Sequence, residues 1–486
     1  MTDLIYDIAI IGAGVVGALT ARELTKYNLK VALIEKESDV AMGTSKGNSA
    51  IVHAGFDAET GTLKARLNLK GCEMMPHICD DLGVHYDKNS SLVCSFGDEE
   101  TEHLKNLQKR GEDNGVPELE IISGDTLFDF EPNLSREIKA ALYAPTAGIV
   151  CPYMLTVSAT ENAILNGCDL ILNFAAGAII NRPQYNYITI KSVDNREIHT
   201  RYIVNSAGLY SDEIAMLCGD GEQTRDFKII PRKGEYMLMD KKAGSLVKST
   251  LFSVPSDKGK GILVSPTVDG NLIIGPNAVE TEKDDVSTTP DGLFEIEQGA
   301  KRLVPALNMR QVITSFAGVR ATPKNHDFNI FRSNNIPEIL HLIGIESPGL
   351  AASPAIAEYA VDMLKDMGLE LTENTGFNPK IIRSKSFYLM NSEERAEAIE
   401  KNKLYSKIIC RCETVTEAEI VEAIRSLCPA TTVDAVKRRT RAGMGRCQGG
   451  FCSPRVVEIL SRELGINMTD VTKKGGGSYI LTGRTK

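Results

Sequence analysis

Four of the eleven cysteines sit close together near the end of the chain: Cys410 and Cys412 as C-x-C, and Cys447 and Cys452 as C-x4-C. Four thiolates at one point suit a [2Fe–2S] cluster or a structural zinc ion. Zinc sites usually space paired ligands as C-x2–4-C, so the tighter C-x-C favours the cluster. Gly443, Gly445, Gly449 and Gly450 let the loop wrap the sulfurs and present N–H donors, which raise a reduction potential. Lys437, Arg438, Arg439, Arg441 and Arg446 form a basic run. Such a run reads as a solvated helix face, or as charge that offsets an anionic cluster and docks an acidic redox partner. The other seven cysteines read as small buried apolar residues.

A second chemical signature opens the chain. Gly12, Gly14 and Gly17 form G-x-G-x-x-G between an apolar run and a helical pattern. The first glycine allows a tight turn, the second lets backbone approach a pyrophosphate, and the third packs helix on strand. The helix N-terminus then faces the phosphates. Glu35 ends the next apolar run, where its carboxylate can accept both ribose hydroxyls. That acid disfavours a 2′-phosphate and leaves NAD and FAD open. Together the two signatures point to electrons leaving a nucleotide cofactor through iron and sulfur.

The elements that must position these residues follow from patterning. Residues 4–11 read as a buried strand, 15–27 as a helix and 30–36 as a second strand, one βαβ unit. The strand–small-residue turn–helix theme returns at 203–212 and 339–364, far away in sequence. Between lie alternating runs, YNYITIK (185–191) and EYMLMDK (235–241), expected as antiparallel strands of a second sheet. A charged surface helix is expected at 99–114 and a charged helical connector at 392–403. The pattern predicts a dinucleotide domain interrupted by insertions that build a substrate domain.

Composition bounds the rest. A chain of 486 residues with 42% hydrophobic and 24% charged residues fits about three soluble domains. A net charge of −9 argues against nucleic-acid binding. No apolar run approaches a membrane span, so membrane attachment would have to come through a partner subunit. The scattered cysteines suit a reducing cytoplasm.

TSKGNSAIVHAGFD (44–57), IVNSAG (203–208), AGVRATP (317–323) and residues 341–357 resemble FAD-dependent oxidoreductases of the D-amino-acid-oxidase superfamily. Within it, HAGFDAETGTLKARLNLKG, TAGIV, AGLYSD, PRKGEYMLMDK and GPNAV are similar to L-2-hydroxyglutarate dehydrogenases. CRCETVTEAEI and RRTRAGMGRCQGGFC resemble the bacterioferritin-associated-ferredoxin-like [2Fe–2S] domain carried by the large subunit of anaerobic glycerol-3-phosphate dehydrogenase. One departure stands out: IESPGLAASPA replaces the Gly-Gly-Lys-Leu-type loop of glycerol-3-phosphate dehydrogenases.

The resemblance implies an α/β fold: a discontinuous Rossmann-like FAD domain, an inserted, mostly antiparallel β substrate domain (α+β), and a small helical [2Fe–2S] domain. The expected boundaries are 1–80, 145–225 and 330–370 for the FAD-binding domain and 81–144 and 226–329 for the substrate domain. A linker at 371–404, the [2Fe–2S] domain at 405–470 and a tail at 471–486 follow. FAD would be held by Gly12, Gly14, Gly17 and Glu35 together with Ser45, Asn48, Ser49, Ala207, Gly208, Gly344, Ser347, Gly349 and Leu350. The turn at 344–349 would aim its N–H groups and helix dipole at the reduced flavin.

The implied activity is a dehydrogenase that passes hydride from a small anionic secondary alcohol to flavin N5, with electrons leaving through the cluster to a protein partner. Glycerol 3-phosphate is the first substrate expected; L-2-hydroxyglutarate or another 2-hydroxy acid is the alternative. A further reading is an electron-transfer subunit without a substrate of its own. Arg320, in a Gly-Val-Arg turn matching the family's substrate-binding arginine, would grip the anion bidentately. His53 would take the hydroxyl proton, with His326 a weaker candidate. Lys64, Lys233 and Glu235 follow family-like segments and are candidates for the pocket wall.

Overall fold

The computed structural model describes residues 4–221, 227–254 and 261–483; the expected boundary between 225 and 226 and the last three residues of the tail lie outside them. The apolar run IYDIAII forms strand β1 (Ile5–Ile11), a glycine turn follows, and helix α1 (Val15–Leu24) leads to strand β2 (Val31–Ile34). β1 lies parallel between β2 and strand Glu197–Asn205, which in turn pairs in parallel with Ile339–Ile343. Side chains buried on both faces explain why these strands are near-continuously apolar. Helices α1, Pro152–Leu165 and Gly349–Asp366 carry core residues packed with this sheet, among them Leu24, Val157 and Ile356.

YNYITIK departs from the expectation. It falls in strand Tyr187–Ser192, which pairs antiparallel with Glu197–Asn205 and so extends the first sheet. An alternating pattern reports one half-exposed face, and an antiparallel hairpin at the edge of a parallel sheet offers that as well as a separate sheet does. EYMLMDK does enter the second sheet, in the long strand Ile229–Met239.

That nine-stranded sheet collects strands from residues 91–144 and 229–323 and is mostly antiparallel. Its longest pair joins Ile229–Met239 to Val312–Pro323 in a register that sets Arg232 opposite Arg320, Gly234 opposite Gly318 and Tyr236 opposite Phe316. The loop carrying Ser45 presses against this pair. A Cβ added at Gly318 would lie 1.7 Å from the Gly47 carbonyl oxygen, so only glycine lets the two backbones meet there.

The cysteine module is a two-stranded hairpin, Ile408–Cys410 with Val415–Thr416, followed by helices Glu417–Ile424, Val433–Thr440 and Ser453–Leu464. Helices this short are marginal alone. Here they share a core of Ile420, Val436, Val457 and Leu460, and Thr416 with Glu419 closes a capping box. Among the described residues no helix is long and apolar enough to cross a membrane.

Candidate active site and cysteine centre

A cavity of about 1370 Å³ runs between the two sheets, well above the roughly 300–1,000 Å³ of ordinary small-ligand pockets. Gly12, Gly14, Glu35, Ser45, Asn48, Ser49, Ala207, Gly208, Ser347, Gly349 and Leu350 line it, as do His53, Arg320 and His326. Gly17 and Gly344 do not. Gly17 serves packing: a Cβ there would lie 2.0 Å from the Gly12 carbonyl oxygen. Gly344, at φ +70°, turns the chain beside Pro323.

The turn fits a dinucleotide. Gly12 has φ +107°, and a Cβ there would meet the Ser206 carbonyl oxygen at 2.6 Å. α1 starts at Gly14 with no capping side chain, so its first N–H groups remain for a phosphate, apart from Val15 N–H, which donates to Ser45 Oγ at 2.9 Å. Glu35 is fixed by two backbone donors, Ala13 N–H at 2.9 Å and Glu37 N–H at 3.0 Å. Burial raises its pKa, and those donors oppose the rise.

At the other end stand the chemical groups. Arg320 lies within strand Val312–Pro323 rather than in a turn. Its Nη2 lies 3.4 Å from the Asn277 carbonyl oxygen, and among the described residues it makes no ion pair with a carboxylate. Gly234 on the facing strand makes room: a Cβ there would lie 2.6 Å from Arg320 Nη2. The buried Tyr236 hydroxyl has its pKa raised by burial, moderated by Arg320 and Ser49, and its ring stacks on Phe316 at 4.9 Å. The His53 ring stacks on Phe252 at 5.6 Å, and its carbonyl oxygen accepts from Asn68. Lys64 pairs with Glu346 at 2.9 Å, and Thr322 Oγ1 donates to the same carboxylate.

Lys233 and Glu235 are not in the wall. Lys233 pairs with Asp285, and Glu235 accepts from Thr289 N–H and Oγ1. The strand's period of two places Arg232 and Tyr236 on the cavity face instead. Arg232 and Tyr236 were thus missed, although the alternation of PRKGEY carried the signal.

None of the eleven cysteines, all among the described residues, is joined in a disulfide. The four of the module gather as two pairs: Cys412 Sγ lies 3.8 Å from Cys447 Sγ, and the Cys452 thiol donates a hydrogen bond to Cys410. Cys410 and Cys452 are buried, Cys412 is exposed and Cys447 half-buried. Among the described residues no three His, Cys, Asp or Glu groups converge on a single ion. Four sulfurs in two pairs suit a two-iron cluster, which Cys410, Cys412, Cys447 and Cys452 would hold, better than one zinc ion. The Cys452 thiol, with backbone N–H groups of Gly443, Glu413 and Cys412, lowers the Cys410 pKa. The N–H of Phe451 lowers Cys447 as well. Gly445 is required by space, since a Cβ would sit 2.3 Å from Cys412 Cβ. The remaining seven cysteines are buried, and burial raises their thiols, Cys72 and Cys428 to about 11 and Cys151 to about 12.

The basic run is neither a solvated face nor, in the main, a free docking surface. Arg439 grips the buried Asp39 bidentately at 2.9 and 2.8 Å, and Arg438 adds a third bond. Burial opposes charge on Asp39, but the two guanidinium groups prevail and hold its pKa below the carboxylate range. Arg441 pairs with Asp269 at 2.6 Å and with Glu413 at 2.8 Å, and Arg446 with Asp240 at 3.2 Å. The run fastens the cysteine module to the oxidoreductase body.

Comparison with known proteins agrees with this geometry. Residues 7–363 match the family described as FAD dependent oxidoreductase, and residues 408–462 the BFD-like [2Fe-2S] binding domain. The chain is 48% identical to a glycerol 3-phosphate dehydrogenase of Caloramator mitchellensis, over 99% of both chains. It is 30% identical to the mitochondrial L-2-hydroxyglutarate dehydrogenase of Caenorhabditis elegans, over 73% of this chain and 92% of that one. The structure of dithionite-reduced L-alpha-glycerophosphate oxidase from Mycoplasma pneumoniae with FAD bound superposes with a TM-score of 0.74 at 30% identity, covering 79% of this chain and 100% of the other. The chain belongs to the FAD-dependent oxidoreductases, as an enzyme whose cofactors are FAD and, in an appended module, a [2Fe–2S] cluster.

Proposed function

We propose that this enzyme is a dehydrogenase that oxidises glycerol 3-phosphate to dihydroxyacetone phosphate and delivers the electrons to a partner protein. Arg320 carries the reading: a guanidinium inside the cavity, without a carboxylate partner among the described residues, is poised for a substrate anion. The 48% relative, matched over module and body alike, bears the name of that activity. The body alone does not lean towards a 2-hydroxy acid, because the glycerophosphate oxidase and the L-2-hydroxyglutarate dehydrogenase each match at 30%.

Bound in the cavity, FAD supplies the acceptor for the hydrogen on C2, and the cluster a one-electron path outward. Arg320 holds the phosphate in two N–H···O bonds, and Arg232, opposite it across the strand pair, adds positive potential. His53 takes the C2 hydroxyl proton, its ring held by Phe252. Phe252, Tyr236 and Phe316 keep water from the reacting carbon. The helix beginning at Gly349 lines the cavity at its N-terminus, and its dipole would stabilise negative charge on a flavin bound there. Phe451, 87% exposed between Cys447 and Cys452, supports a protein partner seated at the outer sulfur pair. Seven cysteines outside the cluster module's quartet, none in a disulfide, support a reducing compartment, the cytoplasm.

Turnover with an artificial acceptor, compared across glycerol 3-phosphate, L-2-hydroxyglutarate and an amino acid, tests the substrate. Glycerol 3-phosphate is expected to give the highest kcat/KM by at least tenfold. Flavin bleaching by none of the three, but by a reduced partner protein, would assign an electron-transfer subunit instead.

A further inference from the structure

The cavity has one wall that the oxidoreductase body does not supply. Lys474, Gly475 and Gly476, from beyond the cysteine module's last helix, line it beside Glu35, Lys36, Glu37 and Ser38. They form the tip of a small hairpin closed by the bridge between Thr472 and Tyr479. The hairpin is fixed to helix Val433–Thr440, because Val433 and Asp434 N–H groups donate to the Thr472 and Lys473 carbonyl oxygens. That helix also carries Arg438 and Arg439, which clamp Asp39. At the tip, Ser38 Oγ donates to the Lys474 carbonyl oxygen at 2.8 Å. Gly475 lies so close that a Cβ would stand 2.2 Å from Ser38 Oγ and 2.4 Å from Ser38 Cβ. Lys474 Nζ makes no hydrogen bond or ion pair among the described residues. Thus one five-residue stretch, 35–39, holds the acid placed for ribose at one end and two of the module's attachments, Ser38 and Asp39, at the other.

We propose that this hairpin forms the outer wall of the FAD site at its adenosine end, so that module docking and FAD retention are one coupled equilibrium. Glu35, by its place after the glycine fingerprint, marks the end of the cavity where ribose and adenine lie. The hairpin covers that end, and Lys474 brings a positive charge to the cavity wall there. Coupling of this kind is reciprocal: whatever loosens the module loosens FAD, and FAD tightens the module by the same factor.

The test uses the full chain with its cluster loaded and reads FAD release from the fluorescence of free flavin; the parent chain is measured first, which checks the cofactor assignment separately. Gly475→Ala drives a methyl into Ser38 and should speed FAD release and raise its Kd at least tenfold, with cluster absorption intact. Gly477→Ala is the control, since Gly477 shares the positive φ but has nothing within 4 Å of an added Cβ; it should hold FAD as the parent does. The proposal is overturned if Gly475→Ala retains FAD like the parent, or if Gly477→Ala loosens FAD equally. Where Gly475→Ala fails to keep its cluster, Lys474→Glu, on an exposed side chain, decides by the same criterion against the parent.

Discussion

Gly234→Ala should disable the substrate site without replacing any group that does chemistry. The added methyl carbon would lie 2.6 Å from Arg320 Nη2 and 2.8 Å from Pro276 Cβ. Non-bonded contact needs about 3.5 Å, so the guanidinium must withdraw by nearly an ångström. Gly234 has no positive φ, so the backbone accepts alanine and the effect is contact alone. A misplacement of this size in a positioning group costs roughly 10²-fold in kcat/KM, about 2.7 kcal/mol of transition-state stabilisation. Crowding Pro276 adds about 1–3 kcal/mol of overpacking, to be read separately from thermal unfolding. The assay is kcat/KM for glycerol 3-phosphate with an artificial acceptor, normalised to bound FAD and to cluster absorption. A variant that keeps both cofactors and turns over like the parent would refute the assignment of Arg320 to the anion.

Two further predictions concern the module. Asp39→Asn leaves Arg438 and Arg439 buried without their full counter-charge, which should lower stability by about 3–5 kcal/mol in urea unfolding. Because Asp39 has a depressed pKa when folded, its contribution is complete above the unfolded carboxylate value of about 3.9 and fades as pH falls below it; the parent should lose this part of its stability in strong acid and the asparagine variant should not, so parallel pH profiles would count against the clamp. Cys412→Ser should remove the visible absorption of the cluster while substrate still bleaches the flavin; a cluster spectrum that survives would exclude Cys412 as a ligand.

What the sequence disclosed was local. The glycine fingerprint with Glu35, and the spacing of the four cysteines, are short patterns whose chemistry follows from a few bonds of chain geometry. What stayed hidden depends on partners far away. Nothing near Arg438 and Arg439 announces that their counter-ion is Asp39, some 400 residues earlier. YNYITIK reads alike in either sheet, since alternation reports a half-exposed face and not which neighbour pairs with it. Lys233 and Glu235 drew attention by lying in a family-like segment, while the strand's alternation turned Arg232 and Tyr236 to the cavity. The domain that the cysteines build was legible from sequence; where it is fastened was a property of the folded surface.

The unequal depth of the two sulfur pairs has its own consequence. Cys410 and Cys452 are sealed in the module's core, while Cys412 opens to solvent. The opening through which the proposed partner would approach also admits dioxygen and peroxide, and the oxidation of sulfur follows exposure. Exit and weak point are therefore the same two sulfurs. Under air, inactivation should begin at Cys412 and Cys447 and leave the inner pair and the flavin site intact, so that the chain loses its wiring before it loses its chemistry.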